Sequence, residues 1–197
     1  QAQLTGTTAT HQALFSDFDN DRDIDFLVRS QDGLQLFTNN RDGTFADIAA
    51  DLQLAAISAV GIAVEDFNQD SYMDVSSVSA DGVLTLYTNE KGRVLAPHTL
   101  PGAASSTRGL QAADFDNDGD FDLLTFGVQG IQLFTHYKNS FEREKQDLDD
   151  DVSRVLIADF NGDGTEDIWA DGQIWHNATS GNHWIEIVVQ GLNSNPE

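Results

Sequence analysis

Residues Asp114 to Asp122 read D-F-D-N-D-G-D-F-D, a nine-residue run with carboxylates at its first, third, fifth and ninth positions. Ca²⁺ takes roughly six to eight oxygen ligands at about 2.3–2.6 Å, so a tight loop offering alternate side-chain oxygens and a carbonyl from its seventh position supplies most of a shell. The ligands expected here are Asp114, Asp116, Asp118 and Asp122, with the main-chain oxygen of Asp120. Gly119 stands sixth, where the chain turns sharply and a residue free to take positive φ costs least.

The spacing occurs three more times. Asp17, Asp19, Asp21 and Asp25 form one set, with the carbonyl of Asp23; Asp66, Asn68, Asp70 and Asp74 form another, with that of Tyr72. The last is Asp159, Asn161, Asp163 and Asp167, with Thr165. The loops begin 49, 48 and 45 residues apart, and a period of this size signals stacked supersecondary units. Up to four Ca²⁺ are therefore expected. An EF-hand is excluded, because its twelfth position needs a bidentate Glu and Val28, Ser77, Thr125 and Ala170 stand there. Arg22 and Ser71 replace glycine at the sixth position, at a cost of about 1 kcal/mol each if positive φ is required.

Charge and composition limit the partners. The formal net charge is −23, and seventeen of the 33 acidic residues fall inside the four loops. Nucleic acid and anionic membrane surfaces want Lys and Arg, so both are disfavoured. No run of about 20 apolar residues is present to span a bilayer, and membrane insertion is not expected. There is no cysteine, which excludes disulfides and thiolate metal sites. Loops that depend on millimolar metal suit an extracellular or cell-surface setting.

Around the loops the chain alternates apolar and polar residues over short runs. His11–Ser16, Ile24–Ser30 and Leu34–Thr38 read as strands, with Thr44 and Phe45 a candidate outer strand. Gly61–Glu65, Met73–Ser79 and Val83–Thr88 repeat the pattern, as do Leu110–Ala113, Phe121–Phe126 and Ile131–His136; Ile168–Ala170 and Gln173–Trp175 follow. Segment 94–107, holding Pro97 and Pro101, reads as an irregular crossing, and 142–151 as a charged connection. Only 45–54 hints at a helical period. An eight-residue step from the last loop ligand to a turn glycine holds for Gly33, Gly82 and Gly130 and shortens to five at Gly172. Phe18, Phe67, Phe115 and Phe160 follow the first Asp of each loop and are expected to plug the core beneath it. Four-stranded sheets repeated every 45 to 50 residues are the arithmetic of an all-β protein built of β-propeller blades.

The phrases Ala113-Asp114-Phe115-Asp116-Asn117-Asp118-Gly119 and Gly130-Ile131-Gln132-Leu133-Phe134 resemble the FG-GAP/VCBS repeat, the blade of integrin-α-type propellers. The resemblance covers about residues 11–177, in four repeats at roughly 11–58, 59–107, 108–152 and 153–177. It implies calcium loops in the hairpin joining the first two strands of each blade. Such rings usually close with about seven blades, so the four visible here are expected to be part of a larger propeller. Residues 178–197, with Gly181-Asn182-His183-Trp184-Ile185-Glu186-Ile187 and Gly191-Leu192-Asn193-Ser194-Asn195, resemble the start of an ASPIC/UnbV segment.

Catalytic signatures are missing from the sequence. His11, His98, His136, His176 and His183 form no metalloprotease motif, and neither a nucleophile elbow nor a P-loop is present. The expected function is a non-catalytic, calcium-binding propeller module that binds an extracellular protein or glycan in adhesion. The alternative is a structural spacer attached to a secreted enzyme or adhesin. Aromatic residues clustered on the face opposite the metal loops would favour the binding module. Asn177-Ala178-Thr179 also fits a glycosylation acceptor.

Overall fold

Each acidic loop joins the first two strands of an antiparallel sheet, and the sheets follow one another along the chain in sequence order. A computed structural model describes residues 9–92, 95–138, 140–144 and 150–179. Blade 1 contains β1 (Thr10–Ser16), β2 (Asp25–Ser30), β3 (Gly33–Asn39) and β4 (Phe45–Asp47). Blade 2 contains β5 (Gly61–Glu65), β6 (Asp74–Val78), β7 (Leu84–Asn89) and β8 (Leu95–Thr99). Blade 3 contains β9 (Thr107–Ala113), β10 (Asp122–Gly127), β11 (Gly130–Tyr137) and β12 (Ser140–Arg143). In blade 4, β13 (Val155–Ala158), β14 (Asp167–Ala170) and β15 (Gln173–Trp175) form a three-stranded sheet. No helix occurs among the described residues. The architecture is that of β-propeller blades.

Three segments fold differently from their sequence reading. The stretch holding Pro97 is not an irregular crossing but the outer strand β8, with Pro97 opposite Tyr87. A proline fits there because an edge strand needs no ladder donor on its outer side. The charged connection begins with a strand too: β12 pairs Phe141 with His136 and buries it, while its neighbours face solvent. The helical hint at 45–54 resolves into β4 followed by turns, closed by Leu54 N–H on the Ala49 carbonyl at 2.8 Å.

Blades stack face to face, and the middle strands of blades 2 and 3 bury apolar side chains on both sides. Between blades 1 and 2, Leu27 and Leu36 meet Ile62 and Val75, with Phe18 beneath. Between blades 2 and 3, Phe67, Val78 and Leu86 meet Leu123 and Phe134. Leu124, Ile131 and Phe115 meet Val155 and Ala170 at the last boundary. Burying one such side chain is worth about 1.5–3 kcal/mol, so these three clusters hold the blades together. The first strands bond directly across: the Gln12 amide donates to the Ile62 carbonyl at 2.8 Å and accepts from its N–H at 3.3 Å. All four first strands line a common cavity of about 460 Å³.

The turn glycines found by spacing are required by geometry. Gly33 has φ +130°, and a Cβ there would lie 2.1 Å from the Ala55 carbonyl oxygen; at Gly82 it would meet the Ala103 oxygen at 2.4 Å. Backbone from the crossover packs directly against these turns.

The outward sides of blades 1 and 4 do not cover each other. Leu34 and Leu36 are buried against blade 2. The open side of blade 1 carries Phe15, Phe26 and Phe37 in register, with Phe45 beside them. Phe26 stacks on Phe37 at 4.8 Å, and Phe15 is 70% exposed. The corresponding residues of blade 2, Val64, Val75 and Tyr87, pack against blade 1. On blade 4, Leu156 and Ile174 are exposed.

Candidate metal loops

Position nine anchors every loop. Asp25, Asp74, Asp122 and Asp167 open the second strand of each blade and are buried. Each accepts the N–H of the loop phenylalanine on one carboxylate oxygen: Phe18, Phe67, Phe115 and Phe160 donate at 2.9, 3.1, 2.9 and 3.1 Å. The other oxygen accepts an N–H from the end of the third strand or just beyond it, from Asn39, Asn89, His136 or Asn177, at 2.7–2.9 Å. The carboxylate thus locks loop to sheet. Burial outweighs these bonds and raises the carboxyl of Asp74 to about 6 and that of Asp122 to about 7; Asp25 is raised for the same reason.

Position one gathers the loop around itself. Asp114 accepts from the Asp118 N–H at 3.1 Å and the Gly119 N–H at 3.0 Å. Asp17 takes Asp21 and Arg22 in the same way, Asp66 takes Asp70 and Ser71, and Asp159 takes Asp163 and Gly164. The sixth position has positive φ in all four loops: 74° at Arg22, 72° at Ser71, 94° at Gly119 and 84° at Gly164. The fourth does too, at Asn20, Gln69, Asn117 and Gly162, which the sequence reading missed.

This winding brings carboxylates together. Ligand oxygens of Asp17, Asp19 and Asp21 lie within 4.8 Å of one another, as do those of Asp114, Asp116 and Asp122. These are the two loops with Asp at position three; Asn68 and Asn161 stand there in the other two. Burial and the neighbouring carboxylates, Asp25 and Asp21 for Asp19 and Asp118 for Asp116, raise both third-position groups. An all-oxygen donor set under mutual repulsion fits a hard divalent cation. In loop 1, Arg41 also reaches in, with Nε 2.8 Å from Asp23 and the guanidinium on Asp21.

The phenylalanine plugs form as expected at three loops: Phe18, Phe67 and Phe115 are 2–4% exposed. Phe160 is 42% exposed: the plug is covered by the following blade, and among the described residues none packs against blade 4. The Asn177 amide nitrogen, the atom a glycan would modify, donates to the Phe115 carbonyl at 2.6 Å. Asn89 makes the matching bond to the Phe18 carbonyl at 2.8 Å. His136 takes this place in blade 3, stacked on Phe141, and its buried Nδ1 has no partner. The other site residues predicted from sequence, Asp120, Tyr72 and Thr165, lie at position seven, where their N–H groups cap Asp118, Asp70 and Asp163. Residues 180–197, and with them most of the ASPIC/UnbV-like segment, lie outside the described residues.

Repeating acidic hairpins on propeller blades define a repeat class, and the comparisons give its family. A family model for the FG-GAP-like repeat matches residues 17–77 and 66–125, more than half of the sequence. The chain belongs to the FG-GAP-like repeat family. It is 34% identical over 99 residues to cartilage acidic protein 1 of Xenopus tropicalis, of whose length that match spans 15%. An Agrocybe aegerita lectin, solved for its recognition of non-reducing terminal N-acetylglucosamine, superposes with a TM-score of 0.61 and 21% identity. That match covers 85% of this chain and 49% of the lectin chain. The V. cholerae biofilm matrix protein Bap1 gives a TM-score of 0.57 at 17% identity, covering 88% of this chain and 30% of the other. At these identities the two structures establish a shared fold.

Proposed function

We propose that this chain is a calcium-stabilised propeller module, without catalytic activity, that binds a glycan or protein outside the cell. The observation that carries the metal reading is the convergence of the third-position and neighbouring carboxylates in loops 1 and 3. Asp17, Asp19, Asp21 and Asp25, with the carbonyl of Asp23, would hold the first ion; Asp114, Asp116, Asp118 and Asp122, with that of Asp120, the third. Loops 2 and 4 would use Asp66, Asn68, Asp70 and Asp74, and Asp159, Asn161, Asp163 and Asp167, with the carbonyls of Tyr72 and Thr165. The ion would neutralise the loop and fix the hairpin. A lectin and a biofilm matrix protein among the fold neighbours support the binding role and the extracellular setting.

The binding surface is assigned to the metal-loop end. At the opposite end the large exposed apolar side chains among the described residues are Val83 and Val128; the exposed aromatic cluster that would have favoured a binding module on that face is not found there, so the binding reading rests on the loop end. Tyr137 and Trp175 are exposed close to loops 3 and 4. Between them a cleft of about 700 Å³ is floored by Ile131, Leu133 and Ile168 and edged by Glu142 and Glu144. An aromatic wall with carboxylate acceptors suits the apolar face and hydroxyls of a sugar. Calorimetric titration with Ca²⁺, followed by glycan-array binding of the loaded protein and of Trp175→Ala, tests both parts. Saturable Ca²⁺ uptake and a glycan signal lost in the variant are expected. No Ca²⁺ heat would overturn the metal reading, and an array signal indifferent to Trp175→Ala would overturn the assigned surface.

A further inference from the structure

The four loops touch one another through a residue that is not a ligand. At position four, Asn20 donates its amide to the Ser71 carbonyl at 3.4 Å, Gln69 to the Gly119 carbonyl at 3.2 Å, and Asn117 to the Gly164 carbonyl at 2.9 Å. In every case the acceptor is the sixth-position carbonyl of the next loop. Gln69 also bonds the Asp120 carboxylate at 2.5 Å.

The sixth-position peptide is thereby held at both ends. Its N–H is on the first ligand of its own loop, as Gly119 on Asp114, and its carbonyl is on the preceding loop. Position four sits between the ligands at positions three and five and has φ near 60° in Asn20, Gln69 and Asn117, so it moves with them. A cation drawing one loop into its shell would therefore orient the next loop's sixth-position peptide and, with it, that loop's first carboxylate. The series stops at blade 4, where position four is Gly162 and offers no side chain.

We infer that Asn20, Gln69 and Asn117 are positioning residues that couple Ca²⁺ binding from loop to loop, making it positively cooperative. This rests on the reading that the loops hold Ca²⁺. Coupling free energies of this kind change affinity about 5–150-fold.

The test is isothermal titration of the 197-residue chain with Ca²⁺, comparing wild type, Gln69→Ala and Asn117→Ala. Gln111→Ala serves as control, because it removes a blade 3–4 bond, to the Val155 carbonyl at 3.0 Å, away from the loops. Wild type should titrate with a Hill slope above 1. Each loop variant should keep the number of bound ions, lose steepness and need about fivefold or more Ca²⁺ for half-saturation. Gln111→Ala should retain the wild-type slope. Independent sites in wild type, an unchanged slope in both loop variants, or an equal loss in the control would overturn the coupling while leaving Ca²⁺ binding intact. Absence of any Ca²⁺ uptake would overturn both.

Discussion

Arg41 places its Nε 2.8 Å from the carboxylate of Asp23 and its guanidinium against Asp21, so a cation of the protein's own already leans on loop 1. The arrangement holds Arg41 charged, first through its bond to Asp23. A metal using Asp21 must share that oxygen or displace the arginine. We predict that Arg41→Ala tightens Ca²⁺ binding at loop 1 by a few-fold, with the gain shrinking in high salt because the pair is solvent-exposed. Titration at two ionic strengths measures it; weaker binding in the variant would show that Arg41 organises the loop.

Loop 3 should bind most tightly of the four. It alone combines Asp114, Asp116, Asp118 and Asp122 with glycine at position six, and no arginine contact on it occurs among the described residues. Asp114→Ala and Asp66→Ala, compared calorimetrically, should remove the strongest and a weaker site respectively. A third loop weaker than the second contradicts the ligand argument.

Metal removal should lower the melting temperature sharply. Unscreened carboxylate pairs at loop distances cost about 1–4 kcal/mol each at surface dielectrics. A ligand at 100 times its dissociation constant contributes about 2.7 kcal/mol per site. Scanning calorimetry with Ca²⁺ and then with chelator should show the loss, and superimposable melts would mean that the ions hold nothing together.

In chelator, acidification should stabilise the protein. Asp74 and Asp122 have native values of about 6 and about 7, raised by burial above the 3.8 of an ordinary aspartate. The native state then binds more protons than the unfolded chain, so this contribution is full below about pH 4 and is lost as pH rises through 6 and 7. The metal-free melting temperature should climb as pH falls from 8 to 5. In saturating Ca²⁺ the trend should reverse, because protons compete for the same oxygens. A metal-free melt that falls steadily over that range refutes the assignment.

Two glycines with positive φ should respond differently to alanine. At Gly119 no atom lies within 4 Å of an added Cβ, so only the conformational cost of about 1–2 kcal/mol applies. At Gly33 the Cβ would sit 2.1 Å from the Ala55 oxygen, and the crossover backbone must move. Gly33→Ala should therefore melt well below Gly119→Ala; equal melts would show that the crossover yields freely.

Much of this was legible because a ligand set imposes spacing. Asp and Asn residues at positions one, three, five and nine can be read by counting, and Gly33 and Gly82 follow at the same step because crossover backbone packs onto them. What stayed hidden depends on neighbours distant in sequence. Pro97 argued against a strand until its edge position was known, and Phe160 shares its local sequence with Phe18 yet has no covering blade among the described residues. Leu34 and Leu36 alternate correctly, but alternation does not say which side of a sheet meets the next one. The amides of Asn20, Gln69 and Asn117 find acceptors about fifty residues away, and only the stacking of blades reveals them.

The boundary bonds run in both directions. Loop amides of blades 1, 2 and 3 reach forward, while Asn89 and Asn177 reach back to the phenylalanine carbonyl of the blade before. No blade can open without stripping donors or acceptors from its neighbour, so amide hydrogens flanking a seam should exchange as one group. The seam between blades 2 and 3 is the place to look for a break, since His136 stands where the other two have asparagine and its ring nitrogen bonds to nothing across the gap. Along this chain the cooperative unit is the joint rather than the sheet.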